Sequence, residues 1–105
     1  MPTNTIDGHS FEIDAEGFFT RREEWNEDLA EILADLVGID HLTDRHWAVL
    51  RFLREDAAKT GVTPTLRRTQ NVGGFDVAEL FELFPVKPAK KMAYLAGLRK
   101  PVGCV

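Results

Sequence analysis

The only cysteine of this 105-residue chain, Cys104, is the second-last residue and the strongest candidate for covalent chemistry. A thiol attacks other atoms as its thiolate, and nearby cations favour that form. Arg99 and Lys100 lie five and four residues before Cys104, so the spacing could supply such cations. The pattern therefore predicts a reactive sulfur atom with electrostatic support from the residues just before it.

The residues around the cysteine predict a segment without regular structure. Pro101 and Gly103 both disfavour a helix or strand, so residues 98–105 are expected to form a flexible C-terminal arm that can reach another protein's active site. One cysteine permits no internal disulfide, which fits a reducing compartment and predicts a cytoplasmic protein. On position and charge alone, an incidental thiol at a frayed end is the alternative.

The three histidines are weaker candidates. His9, His41 and His46 lack metal-ligand spacing, and one cysteine cannot complete a typical zinc site with them. His46 is expected to pack or form hydrogen bonds locally. Gly73-Gly74 lacks the lysine and the preceding strand of a phosphate-binding loop. We therefore expect no metal and no cofactor.

Charge is unevenly distributed along the chain. Residues 1–86 carry 17 acidic and 8 basic side chains, a net charge of −9. Residues 87–105 carry five basic side chains and no acidic one. This segregation predicts that the C-terminal end meets a charged partner or serves a charged reactive group, although a merely solvated basic end is the alternative.

Hydrophobic periodicity and cap residues predict a compact, mainly helical (α+β) fold for residues 1–105, as one domain. Asp7-Gly8, between short alternating segments, indicates an N-terminal β-hairpin. No apolar run reaches the roughly 18 residues of a membrane helix, so no membrane partner is expected. Five helix starts are predicted from the sequence, at Thr20 with Glu23, at Thr43, at Thr63-Pro64, at Asp76 and at Ala89. Trp25 and Leu36 are predicted on the inner face of the first helix, Gly61 is predicted to end the second, and the last is predicted to span residues 89–96.

Many segments of the chain resemble the DsrC/TusE family of sulfur-relay proteins. The resemblance covers nearly the whole chain and is most specific at the end, where the penultimate cysteine follows Lys-Pro. The C-terminal segments are Leu83-Phe84-Pro85, Pro88-Ala89-Lys90-Lys91, Ala96-Gly97-Leu98 and Lys100-Pro101-Val102-Gly103-Cys104-Val105. The upstream ones include Asp14–Phe18, Trp25, His46-Trp47, Phe52-Leu53-Arg54, and Pro64 with Arg67.

The resemblance implies a helix-turn-helix-like core with a mobile arm. It implies that Cys104 accepts sulfur as a persulfide and hands it to a partner, as a carrier-type sulfurtransferase rather than a stand-alone turnover enzyme. Arg67 resembles a basic residue of the family that could hold the arm or its charged sulfur adduct. The implied partners are an upstream sulfur-donor relay protein and a downstream acceptor, with the carrier monomeric when free.

Departures from the family pattern separate two roles. Ala93 stands where the DsrC subgroup has a second cysteine, which favours a single-cysteine, TusE-like relay toward tRNA 2-thiouridine and an acceptor such as a thiouridylase. The alternative is a DsrC-like gamma subunit that serves dissimilatory sulfite reductase or sulfur oxidation. Residues 69–79 are also expected to be shorter than usual, and Arg99 replaces a typical proline.

An alternative hypothesis from another functional class is a small helix-turn-helix regulator that binds DNA through Arg67-Arg68. DNA binding rests largely on neutralising phosphates, and this chain has a net charge of −4 with a small basic cluster. The charge pattern therefore disfavours direct nucleic-acid binding.

Overall fold

Five α-helices and one hairpin form the part of the chain that the computed structural model describes, residues 3–6 and 8–100, with side chains at 8 and 10–100. In the hairpin, β1 (Thr3–Ile6) pairs antiparallel with β2 (His9–Glu12). The helices are α1 (Glu27–Leu36), α2 (Asp44–Thr60), α3 (Leu66–Asn71), α4 (Val77–Leu83) and α5 (Pro88–Leu95). This confirms the predicted mainly helical fold with an N-terminal hairpin.

The hydrophobic core lies where α1 and α5 pack on each other and α5 packs on α2. Helical spacings of three and four residues bring the large apolar side chains of each helix onto one face, and burial stabilises the fold by roughly 1.5–3 kcal/mol per side chain. Leu36, which the periodicity of α1 placed inward, is 59% exposed. Among the described residues, no helix combines the length and hydropathy needed to cross a bilayer. The largest fully buried side chains of these three helices are Leu29 and Leu33 of α1, Val49, Leu50 and Leu53 of α2, and Met92 and Leu95 of α5.

The predicted start of the first helix was wrong. A short 3-10 turn (Arg22–Glu24), with extended residues on both sides of it, separates Thr20 from α1. The hydroxyl of Thr20 donates to the carboxylate of Glu12 in β2, so it does not cap a helix. Asn26 is the N-cap of α1, and its side-chain oxygen accepts a hydrogen bond from the backbone N–H of Leu29 at 2.8 Å.

The predicted start of the third helix, at Thr63-Pro64, was also displaced. Thr63 is buried, and its hydroxyl donates to the backbone oxygen of Arg99 at 2.7 Å, so it is engaged away from the helix. Thr65 caps α3 instead, accepting from the backbone N–H of Arg68. Three further end residues are confirmed: Thr43 and Asp76 as N-caps and Gly61 as a left-handed C-cap.

The turn into α5 has an unusual backbone. Val86 and Lys87 have φ angles of 60° and 53°, in the left-handed region that side chains with a Cβ disfavour. Pro88 follows at the first turn of α5, where its fixed φ and missing N–H fit a helix start. The last predicted helix, residues 89–96, therefore lies one residue later than α5.

Candidate functional site

Three of the predicted site residues, Pro101, Gly103 and Cys104, lie outside the described residues. The structure describes the predicted arm as far as Lys100. The roles assigned to Cys104 and to its electrostatic support stay predictions. The described residues do show how the chain continues from the end of α5 as far as Lys100.

The end of α5 determines where the arm starts. The backbone N–H of Leu98 donates to the oxygen of Ala93 at 3.0 Å, and that of Gly97 donates to the oxygen of Tyr94 at 3.1 Å. These two bonds form a Schellman motif, with Gly97 in its left-handed position at φ 67°. Leu98 is only 2% exposed, so the first residue of the predicted arm is anchored in the core.

Two side chains from distant parts of the chain hold the last carbonyls of α5. The indole N–H of Trp25 donates to the oxygen of Leu95 at 2.6 Å, and Arg54 Nη1 donates to the oxygen of Ala96 at 2.8 Å. Arg54 also stacks on Trp25, with its Cζ 4.2 Å from the ring centroid. Partial burial, and secondarily the charge of Arg22, lowers the pKa of Arg54. The helix macrodipole favours a cation at this end of α5. Because Trp25 and Arg54 together hold the last carbonyls of the helix, we call them the α5 clamp.

Arg99 and Lys100 are also fastened to the body. Arg99 Nε donates to the backbone oxygen of Thr20 at 3.2 Å, while Lys100 Nζ lies 2.8 Å from a carboxylate oxygen of Glu16. The Lys100–Glu16 pair is about half exposed and contributes about 0–1 kcal/mol. Two of the cations predicted to support Cys104 are thus already engaged at residues 16–20.

Lys100 lines two clefts. The first, which we call the arginine cleft, has a volume of about 480 Å³ and runs between residues 20–23 and 61–63, beside Arg99. The second, which we call the lysine cleft, has a volume of about 650 Å³ and lies between residues 15–18 and the start of α5. The side chains that give the lysine cleft its character are Phe18, Leu66, Phe81, Lys87, Lys90 and Lys100.

The Arg67-Arg68 pair does not form one basic cluster. Arg68 Nε and Nη2 donate to the two carboxylate oxygens of Asp56, at 2.6 and 2.8 Å, and this pair lowers the pKa of the largely buried Asp56. Arg67 is exposed and makes no hydrogen bond or ion pair with any residue that the structure describes. A DNA-binding role therefore loses one of its two arginines, and the predicted contact of Arg67 with the arm stays a prediction.

His46 has a structural role, as its position suggested. Its ring Nδ1 accepts from the backbone N–H of Thr43 at 3.0 Å, and its Nε2 lies 2.8 Å from the backbone oxygen of Leu83. This closes a capping box at the start of α2 and ties α2 to the end of α4. Within the described part of the chain, no three acidic, histidine or cysteine side chains are grouped to hold a metal ion.

The sequence did not predict that Trp25 and Arg54 form the α5 clamp. Trp25 was expected on the inner face of the first helix, whereas it precedes α1 as an extended residue. Trp25 and Arg54 are 29 positions apart in the sequence, so no local pattern pairs them. An aromatic residue just outside a helix and an arginine on a mostly apolar helix face were the available signals.

Together the fold and the anchored C-terminal segment define a small helical protein with its only thiol near the end of the chain. Residues 5–105 match the family model described as DsrC like protein, and the chain belongs to that family. It is 37% identical over 105 residues to the sulfite reductase, dissimilatory-type subunit gamma of Nitratidesulfovibrio vulgaris, with both chains covered completely. It is 34% identical over 107 aligned positions to sulfurtransferase TusE of Escherichia coli strain K12, covering 95% of this chain and 97% of that one.

A solved structure supports the same assignment. The crystal structure of dissimilatory sulfite reductase I (DsrI) superposes with a TM-score of 0.86 at 31% identity, covering 99% of this chain and 100% of the other. The gamma-subunit alignment uses 105 positions for all 105 residues of this chain. That alignment leaves no deletion in this chain relative to that subunit, and for the other relatives the expected shortening of residues 69–79 stays a prediction.

Proposed function

We propose that this protein is a sulfur carrier in which Cys104 takes up sulfane sulfur as a persulfide and passes it to a partner protein. The observation that carries the proposal is that the family match runs from residue 5 to residue 105 and so includes the only cysteine of the chain. Relatives named sulfurtransferase TusE support a carrier role.

The chemistry of the carrier is thiol exchange. The Cys104 thiolate attacks the outer sulfur of a donor persulfide, the donor's S–S bond breaks, and the donor leaves as a thiolate. The new Cys104 persulfide then loses its outer sulfur to the acceptor's nucleophile, and Cys104 leaves as a thiolate. Electrons balance in each transfer, so the cycle needs no cofactor.

The two kinds of relative suggest two different sets of partner proteins. Ala93, on the buried face of α5, provides no second thiol, which supports single-cysteine transfer from a donor relay protein toward a tRNA thiouridylase. A second candidate is a role as the gamma subunit beside a dissimilatory sulfite reductase. The complete coverage and 37% identity to such a subunit favour it.

Intact-mass spectrometry after exposure to inorganic polysulfide tests the carrier role. We expect wild type to gain whole sulfur atoms that a reductant removes, and Cys104→Ser to gain none while keeping the wild-type circular dichroism spectrum. A wild-type protein that stays unmodified would remove the chemical basis of the proposal.

Two assays then separate the two pathways. The loaded protein is offered to a tRNA thiouridylase with tRNA and ATP, whereas the unloaded protein is offered to a dissimilatory sulfite reductase with sulfite and reductant. Loss of sulfur to thiolated tRNA supports the relay, whereas loading of Cys104 during sulfite reduction supports the gamma-subunit role.

A further inference from the structure

We propose that the lysine cleft is a docking site for a partner protein's acidic segment that carries an aromatic or large aliphatic side chain. This inference concerns recognition and stands independently of the sulfur chemistry at Cys104. It rests on the apolar walls of the cleft, on its charge, and on the backbone at its rim.

Large apolar side chains are exposed at the lysine cleft and in the turn beside it. Phe81 projects from α4 into the lining and is 50% exposed, and Val86, in the adjoining turn, is 71% exposed. Phe18, which is buried, and Leu66, which is partly exposed, line the same cleft. Exposed aromatic groups next to a concave surface are typical of protein interfaces.

The charge of the cleft specifies the partner's chemistry. Its ionisable side chains are Lys87, Lys90, Lys100 and Glu16, and the Glu16 carboxylate is already paired with Lys100. Lys87 and Lys90 form no ion pair with any residue in the described ranges. The Lys90 ammonium lies 5.9 Å from the ring centroid of Phe18, so charge and apolar surface adjoin. Electrostatic complementarity therefore selects an acidic segment.

The rim of the cleft is held in a costly backbone conformation. Two consecutive residues with Cβ atoms, Val86 and Lys87, occupy the left-handed region without a glycine. Strain of this kind is concentrated at ligand-binding and active sites. In this conformation the side chain of Val86 is exposed to solvent and Lys87 lines the cleft.

Charge also indicates which of the possible occupants fits the lysine cleft. Residues 101–105 contain no acidic and no aromatic side chain, so their side chains lack both the charge and the ring that the cleft complements. A second copy of the protein carries the same net charge of −4 and is repelled as a whole. A different protein with an acidic and aromatic segment is the occupant that fits.

The test is a titration of the ¹⁵N-labelled full chain with the peptide acetyl-Glu-Asp-Phe-Glu-Glu-Leu-amide, followed by amide chemical shifts. We expect shifts concentrated at residues 15–18, 81 and 87–90. The double variant Lys87→Glu/Lys90→Glu should weaken binding about tenfold or more, and Phe81→Ser about fivefold, because each removes one half of the recognition. Matched controls on other surfaces, Arg51→Glu and Leu36→Ser, should bind as wild type does.

Several outcomes overturn the proposal. Shifts confined to the arginine cleft, or no shifts, would place recognition elsewhere, and equal binding of a peptide with serine for phenylalanine and leucine would leave only charge attraction. Concentration-dependent dimers that Phe81→Ser abolishes would assign the cleft to a second copy. Shifts of cleft amides caused by Val102→Ser/Val105→Ser in the absence of peptide would assign it to the chain's own end.

Discussion

Gly97 joins α5 to the segment that carries the cysteine, and the substitution Gly97→Ala tests that junction. A Cβ built on Gly97 lies 2.5 Å from Cβ and from Cδ1 of Trp25, well inside van der Waals contact. The indole must therefore move away, although its N–H donates to the oxygen of Leu95 and its ring stacks with Arg54. We expect Gly97→Ala to break the α5 clamp as well as to strain the backbone.

Gly38→Ala provides a matched control, because it measures the cost of placing a residue with a Cβ in the left-handed conformation. Gly38 ends α1 in the same way, with φ 85° and with the N–H of Ile39 donating to the oxygen of Ala34, but its added Cβ would meet no atom within 4 Å. In both variants the left-handed residue costs about 1–2 kcal/mol, partly offset by the stiffer unfolded chain. Gly38→Ala should therefore lower the free energy of unfolding by about 1 kcal/mol.

In Gly97→Ala, disruption of the α5 clamp further lowers the free energy of unfolding. Losing the indole hydrogen bond costs about 1 kcal/mol, and losing the stacking of Arg54 costs about 0.5–2 kcal/mol. Gly97→Ala should therefore be less stable than Gly38→Ala by about 2 kcal/mol in urea unfolding followed by circular dichroism. Tryptophan fluorescence should also change in the folded state of Gly97→Ala alone. Equal destabilisation of the two variants would refute the argument that Trp25 is held against Gly97.

Three further predictions concern other parts of the fold. Asp56→Asn should lower the free energy of unfolding by about 1–2 kcal/mol at neutral pH, since charge-assisted bonds to the partly exposed Arg68 are lost. Because that arginine lowers the pKa of Asp56, its stabilisation is present above the unfolded pKa of about 4 and is lost as pH falls below it. Urea titrations at several pH values should show wild type and Asp56→Asn converging in acid; a constant difference would contradict this. Val86→Gly should raise the free energy of unfolding by about 0.5–1 kcal/mol, because relief of left-handed strain exceeds the added chain entropy, and an unchanged melting temperature would argue against strain. Long-range ¹H–¹⁵N spectra should show the proton of His46 on Nε2, since Nδ1 accepts from Thr43; a proton on Nδ1 would exclude the capping box.

Sequence patterns predicted the elements whose signals are local. Thr43, Asp76 and Gly61 mark helix ends because capping depends on residues within one turn. Thr20 and Thr63 carry the same local signal, but their hydroxyls bond to distant backbone or side-chain oxygens instead. Competition from tertiary partners cannot be read from spacing alone.

The same limit applies to the candidate site. The cysteine, the basic C-terminal end and the family were all recognisable from residue types and order. The α5 clamp, the pairing of Arg68 with Asp56 and the engagement of Lys100 by Glu16 each join residues far apart in the sequence. The lysine cleft likewise combines residues 15–18 with the start of α5, which only the folded chain brings together.

The anchoring of Leu98, Arg99 and Lys100 makes the remaining segment a short tether. Cys104 is the fourth residue after Lys100, and each Cα–Cα step spans at most about 3.6 Å, so the Cα of the cysteine stays within about 14 Å of that of Lys100. The described body measures 35 × 29 × 21 Å, so much of its surface lies beyond that radius. A partner bound beside Lys100 meets the thiol at a millimolar effective concentration, whereas one bound at the far side meets it only by separate collision. Docking position would thus decide which proteins exchange sulfur with this carrier, even among donors of equal chemical reactivity.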